Sequence, residues 1–477
     1  MTIIDDFVGV FNPVAKLNRM RARRAIDLMT KRGYDGAKTG RRNAGWTTGS
    51  TSANAEIAPG LVKLRDRSRD LVRNNPYASK ALRVLVSNSV GTGIVPSMPD
   101  KKLAKLWSVW IKECDADGQH DFYGLQRIID RAIWESGECL IRFRYRKADD
   151  GLSVPLQLQV LEADYLDSTK FENLKNGGYI QYGIEYDAIG KRVAYWLYSQ
   201  HPGESSPKLN GIKSSRISAD DIIHVYEKLR PGQSRGVPIF APCMITQNDL
   251  DEYEEATLVR KAAEACIMAV VKSDDDNVSI GSQSTENSRT IEELAPGQVQ
   301  YLNTGEDITF NNPPASTGYA EYINTRLHAI AAGIGITYEQ MTGDLSQVNY
   351  SSIRAGTLDF RREIQQFQWL TFIPMVCERV MNKWLSLAAL SNRVKADLQV
   401  EWTTPKWDWV DPVKDIKGEE MEIALYLKSF SEAARQRGST PESLVEEISK
   451  DKELFNKYGL QYPSIIELMK AGNELIK

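Results

Sequence analysis

Histidine and cysteine are scarce in this chain of 477 residues: four of one, five of the other. His120, His201, His224 and His328 are scattered, and Cys114, Cys139, Cys243, Cys266 and Cys377 are isolated, with no CxxC among them. That excludes zinc-ligand spacing and makes buried thiols in a reducing cytoplasm the expectation. No apolar run approaches the ~20 residues of a membrane span, and the N-terminus lacks the apolar stretch of a secretion signal. An excess of charge of one sign is missing too. The net charge is −3, so any contact with nucleic acid must be local rather than global.

Motifs of catalysis are also missing. There is no GxxxxGK[ST] phosphate loop and no GxSxG nucleophile elbow. Gly91-Thr-Gly93 has no third glycine and follows a helical pattern, so it reads as a helix stop. Asp274-Asp-Asp276 is the densest carboxylate cluster, and three adjacent acids cannot all face one ion; a solvated acidic turn is expected. His224 lies inside an apolar strand, Ile222-Ile-His-Val-Tyr226, which predicts a buried, hydrogen-bonded ring rather than a general base. The chain is therefore read as a non-enzyme, with no cofactor and no catalytic or metal residues.

What is present is length and hydrophobic content enough for several domains: 42% of residues are hydrophobic. Residues 1–60 form a basic arm and loop. Met1–Arg42 carries an excess of six positive charges, Arg21, Arg23 and Arg24 among them, and Ala44–Asn54 is small and polar. Leu61–Asn74 is a charged helix; Pro76 opens a second helix with Ala78, Ala81, Leu82, Leu85 and Val86 at helical spacing. Stripes at Leu103–Trp110 and Leu125–Ile133 predict two more helices. From Glu138 the period becomes two. Cys139–Arg146 alternates apolar and basic residues, which places Arg142, Arg144 and Arg146 on one strand face. Further strands are expected at 156–161, 179–186, 194–198 and 222–226, making the fold α+β rather than a βαβ series.

A long helix rich in alanine and charge is expected over 237–271, a short strand-like polar stretch over 272–312, and a helix over 319–333. A polar loop, 342–352, follows. A long helix then runs to about Ala389 with a kink at Pro374, its only interior proline. Leu398–Thr403 reads as a strand, and the tail from Asp411 as amphipathic helices with an N-cap at Ser439-Thr-Pro-Glu.

Four segments, in order, resemble the lambdoid-type portal proteins of tailed phages. They are Arg67–Ala78 leading into Leu85–Gly93, Arg230–Pro238 with Leu250–Ala256, Gly343–Ala355, and Val410–Lys414. The resemblance spans about residues 61–460; a DNA-packaging nuclease or ATPase, or another virion component, stays open as the alternative. It implies a virion protein at one capsid vertex, assembled in the host cytoplasm as a dodecameric ring around a DNA tunnel. Its implied partners are double-stranded DNA without sequence preference, the large terminase subunit, the head-tail connector protein and the major capsid protein. It implies a wing over 61–236, stem helices over 237–271 and 319–335, a clip over 272–318, a tunnel loop over 336–352, a kinked wing helix and strand over 353–410, and a crown over 411–477. Within that frame Gln347, Asn349, Tyr350, Ser351 and Ser352 are candidate tunnel residues. Asp274, Asp275, Asp276, Glu292 and Glu293 are candidate partner-binding residues of the acidic clip. Arg142, Arg144, Arg146, Arg21, Arg23 and Arg24 are candidates for subunit or DNA contact.

Overall fold

The computed structural model describes residues 45, 48–98, 100–205, 213–265, 269–272, 282–286, 289–293, 307–310, 318–346, 349–392, 400–409 and 411–460. The chain divides into two compact units, Met1–Glu56 and Ile57–Lys477. In the first, Thr51 Oγ1 donates to Glu56 Oε1 at 2.5 Å.

The second unit begins with two helices that share one residue as their joint. α1 (Leu61–Asn74) ends where Asn75 turns extended, and α2 (Pro76–Ser89) starts there. Asn75 Oδ1 accepts from Ala78 N at 3.0 Å, an N-cap with proline at the first helical position. The stripe at Ala78, Ala81, Leu82, Leu85 and Val86 is buried, as its spacing predicts. After β1 (Val95–Ser97), α3 (Lys101–Trp110) and α4 (Phe122–Ser136) bury Trp107, Trp110, Phe122 and Ile129. α4 ends at Gly137, whose φ of 87° is the left-handed cap that turns the chain into β2 (Glu138–Tyr145).

β2 is the centre of an antiparallel three-stranded sheet, between β3 (Leu156–Glu162) and β9 (Ile222–Tyr226). A five-stranded meander lies between them in sequence: β4 (Glu172–Asn173), β5 (Tyr179–Gln181), β6 (Ile184–Tyr186), β7 (Arg192–Tyr198) and β8 (Ser214–Ser218). The main core joins the helices to one face of the three-stranded sheet, with Trp107 5.0 Å from Trp384 edge to face. A second, smaller core joins Leu140 and Leu161 on the other face to Ile184, Tyr195 and Leu197 of the meander. The α+β expectation is met.

α5 (Met244–Ala265) is shorter than the helix expected over 237–271. Pro238 and Pro242 disfavour helix in the residues before them, and Val270 and Val271 lie instead in a strand, β10 (Ala269–Lys272). β11 (Ser282–Glu286) and β12 (Arg289–Glu293) pair with each other, and β13 (Asp307–Phe310) closes back on β10. Two nested antiparallel pairs therefore separate α5 from α6 (Tyr319–Ile334).

α7 (Tyr338–Thr342) is followed by α8 (Tyr350–Phe367), which continues through a π-helical stretch, Gln368–Cys377, into α9 (Glu378–Asn392). The irregularity predicted at Pro374 takes the form of that wider helix: Pro374 has no amide to donate, and Glu378 N donates five residues back, to Ile373 O. β14 (Glu401–Thr403) pairs with β1. α10 (Pro412–Ala424), α11 (Phe430–Gln436) and α12 (Pro441–Lys457) complete the described chain. The N-cap predicted at Ser439-Thr-Pro-Glu falls on Thr440, whose Oγ1 accepts from Ser443 N at 3.3 Å. No described helix is long and apolar enough to cross a membrane.

Candidate functional site

The polar segment between α7 and α8 is held by its own side chains. Thr337 caps α7 in a reciprocal pair with Gln340, and Gly343 at φ 78° ends that helix. Thr342 Oγ1 then accepts from Asp344 N at 3.1 Å, and Asp344 Oδ1 from Ser346 N at 2.9 Å. Asn349 Oδ1 accepts from Ser352 N at 2.9 Å. This corrects the loop expected to Ser352. Asn349 is an N-cap, so Tyr350, Ser351 and Ser352 form the first turn of α8. Asn349, Ser351 and Ser352 are exposed, and Gln347 lies outside the described residues.

Of the acidic candidates, Glu292 and Glu293 lie in β12, opposite Gln283 and Ser282 of β11. Asp274, Asp275 and Asp276, like Arg21, Arg23 and Arg24, lie outside the described residues. Arg142 and Arg144 share a face of β2, and Arg146 follows the strand's last residue, Tyr145. Among the described residues these candidates lie on separate elements, β2, β12 and the start of α8.

The structure does assemble a buried ionic hub that the sequence reading missed. Glu138 is fully buried at the start of β2. Arg235 Nε donates to both its oxygens at 2.9 Å, Gly236 N to Oε2 at 3.0 Å, and His224 Nε2 to Oε2 at 2.9 Å. Arg65 Nη1, from α1, lies 3.7 Å from Oε1. Burial alone would raise the Glu138 carboxyl; Arg235 and the His224 hydrogen bond outweigh it and hold it well below the usual carboxylate range. Burial pushes His224 down to about 4. The ring is buried and hydrogen-bonded, as the apolar strand predicts, and it is neutral, with Nδ1 facing the Arg192 guanidinium at 3.4 Å. The backbone is fixed too: a Cβ on Gly236 would lie 1.9 Å from Gly137 O. Arg235 and Gly236 stand almost a hundred residues from Glu138, so no local pattern could have paired them; the only signal was an acid at the head of an apolar run.

Glu162, Asp164 and His201 come close enough together to hold a cation. Arg69 already occupies that position, with Nη2 2.7 Å from Asp164 and 3.3 Å from Glu162, and Arg65 approaches Asp164 at 3.1 Å. These contacts describe an ion-pair network rather than a vacant metal site. Cys114, Cys139, Cys243 and Cys377 are buried free thiols, Cys139 pushed up by burial to about 12.

The comparisons by sequence agree on one kind of protein. A model of the lambda family of phage portal proteins matches residues 39–368. The probable portal protein of Halomonas phage phiHAP-1 is 28% identical over 464 residues, covering 90% of this chain and 87% of that one. Portal protein B of Escherichia phage lambda is 21% identical over 515 residues, covering 91% of each. Among solved structures, a chain from the neck of a native GTA particle, computed with C12 symmetry, matches at 14% identity and a TM-score of 0.47, covering 84% of this chain and 99% of that one. With the family's own pattern running through most of its length, this chain belongs to the lambda family of phage portal proteins.

Proposed function

We propose that the chain is the subunit of a closed ring, dodecameric in its working form, that conducts double-stranded DNA through one capsid vertex during packaging and ejection. The observation that carries this reading is the family match over residues 39–368. The order of elements supports it: α5 and α6 stand on either side of nested β pairs, which suits two stem helices with a clip between them. The segment 272–307 carries eight acids and two bases. Repeated around a ring, that charge suits docking of basic surfaces on the large terminase subunit and then on the head-tail connector. The uncharged polar residues Asn349, Ser351 and Ser352 suit a tunnel lining, because tight contacts would stall a sliding duplex. The outer wing and the basic arm are left to neighbouring subunits and the major capsid protein. No step of bond chemistry is assigned to the chain.

Native mass spectrometry with end-on imaging of the purified protein tests this. A closed ring of twelve chains is expected, without nucleotide hydrolysis. Rings of eleven or thirteen keep the reading; a monomer that turns over nucleotide ends it.

A further inference from the structure

The side of the three-stranded sheet away from the main core changes chemistry halfway along β2. Leu140 and Leu161 are buried in the second core, whereas Arg142, Arg144, Gln157 and Gln159, further along the same side, are half-buried polar groups. Arg142 is opposite Gln159 and Arg144 opposite Gln157, so guanidinium and carboxamide groups alternate across two strands. Side chains on one strand face repeat every two residues, about 6.5–7 Å apart. Arg146 extends the row: its N donates to Pro155 O at 3.0 Å, and its Nε to Gln157 Oε1 at 2.7 Å. Gln157 is itself fixed, with Nε2 donating to Glu113 O at 2.9 Å and Asp115 O at 3.0 Å. The last arginine of the row is thus held in place before any ligand arrives.

Among the described residues the ion pairs do not include Arg142, Arg144 or Arg146. Of the acids on flanking segments, Asp221 accepts from Tyr145 Oη at 2.6 Å and Glu113 from Ser153 N at 2.9 Å, so neither is salt-bridged to the row. Burial and then the neighbouring Arg144 push the Arg142 guanidinium down, against the pull of Asp221. No large apolar side chain lies between these arginines on their face of the strand. Protein interfaces are anchored by buried apolar and aromatic groups; rows of arginine and glutamine suit phosphate oxygens.

We propose that Arg142, Arg144 and Arg146, backed by Gln157 and Gln159, bind the phosphate backbone of double-stranded DNA on this face of the sheet, without reading its sequence. The contact is independent of any passage of DNA through a ring. The test uses the full chain and a covalently closed circular duplex, which cannot be threaded. Binding is followed by fluorescence anisotropy as salt is raised from roughly 50 to 300 mM. Each phosphate contact contributes about 0.9 to the slope of log K against log salt. Changing Arg142→Gln, Arg144→Gln and Arg146→Gln together should lower that slope by about 2 to 3 and weaken binding at least ~10-fold. Arg73→Gln, Arg362→Gln and Lys414→Gln together remove the same charge from exposed positions already paired within their helices; this control should keep the slope. Should the first variant fold poorly, Arg142→Gln with Arg144→Gln alone should lower the slope by about 2. An unchanged slope overturns the proposal, as does an equal fall in the control. Unchanged DNA binding with loss of binding to an acidic protein partner overturns it as well, and reassigns the row to that partner.

Discussion

Glu138 shows how one buried residue can decide the behaviour of a region. Its carboxylate accepts from Arg235, His224 and Gly236 and lies beside Arg65, so it ties β2, β9, α1 and the lead into α5 at one point. Removing one partner from such a cluster leaves buried charge uncompensated, at a cost of about 3–5 kcal/mol. The pH dependence follows from two shifts of the same sense. His224 titrates at about 4 in the fold against 6.5 when unfolded, so the unfolded chain takes up a proton first as pH falls. Stability is therefore lost between pH 6.5 and about 4, by up to about 1.4 kcal/mol for each pH unit. Glu138, held low, adds a second loss below its unfolded value of 4.5. Urea unfolding across this range should show both steps. The variant His224→Gln, which can still donate to Glu138, should lose the upper step and keep the lower. Identical slopes for variant and parent between pH 6.5 and 4 would rule out a neutral buried His224. The strand's apolar run made the burial of His224 legible; the partner made by Arg235 was not, because it depends on chain crossing rather than on spacing.

Elements were legible where both periodicity and a terminator were local. α2 has its buried stripe, Pro76 at its start and the Asn75 cap, and all three are visible in the sequence. α5 has no such start signal, and its ends shifted because proline and valine preferences at 237–243 and 269–272 outweighed a narrow apolar face. The sequence predicts loop one turn too far before α8, since Asn349 capping Ser352 looks in sequence like any polar pair. Asn75 has a second role that spacing could not show. Its Oδ1 also accepts from Gln247 Nε2 at 2.9 Å, and its Nδ2 donates to Asp251 Oδ1 at 2.7 Å, both on α5. A cap alone contributes about 1 kcal/mol. Asn75→Ala also strips buried partners from Gln247 and Asp251, so a loss of about 2–4 kcal/mol is expected in denaturant unfolding. Asn75→Ser, which keeps the cap but is too short for Asp251, should cost about half as much. Equal costs for the two variants would mean that the link to α5 contributes nothing.

The second unit carries two cores of very different size. The main one runs from α2 through the tryptophan cluster to α9, whereas the second contains nine buried residues, three of them borrowed from the three-stranded sheet. A core that small cannot hold the five-stranded meander as firmly as the helices are held, so the two should open at different free energies. What fastens the meander is largely polar. Arg192 of β7 reaches Tyr226 Oη at 2.5 Å and Ser234 O at 3.4 Å, and faces His224, while Arg235 Nη1 donates to Ser168 Oγ at 2.9 Å. Hydrogen exchange followed by mass spectrometry should therefore release amides over residues 179–198 well before those over 78–90. Arg192→Leu removes the main tie from the meander side. If that tie contributes about 2 kcal/mol, amides over 179–198 should exchange about 30-fold faster, with those over 78–90 unchanged. Parallel acceleration of both sets would mean that sheet and helices open as one body, and that the Glu138 hub couples them rather than marking the seam between them.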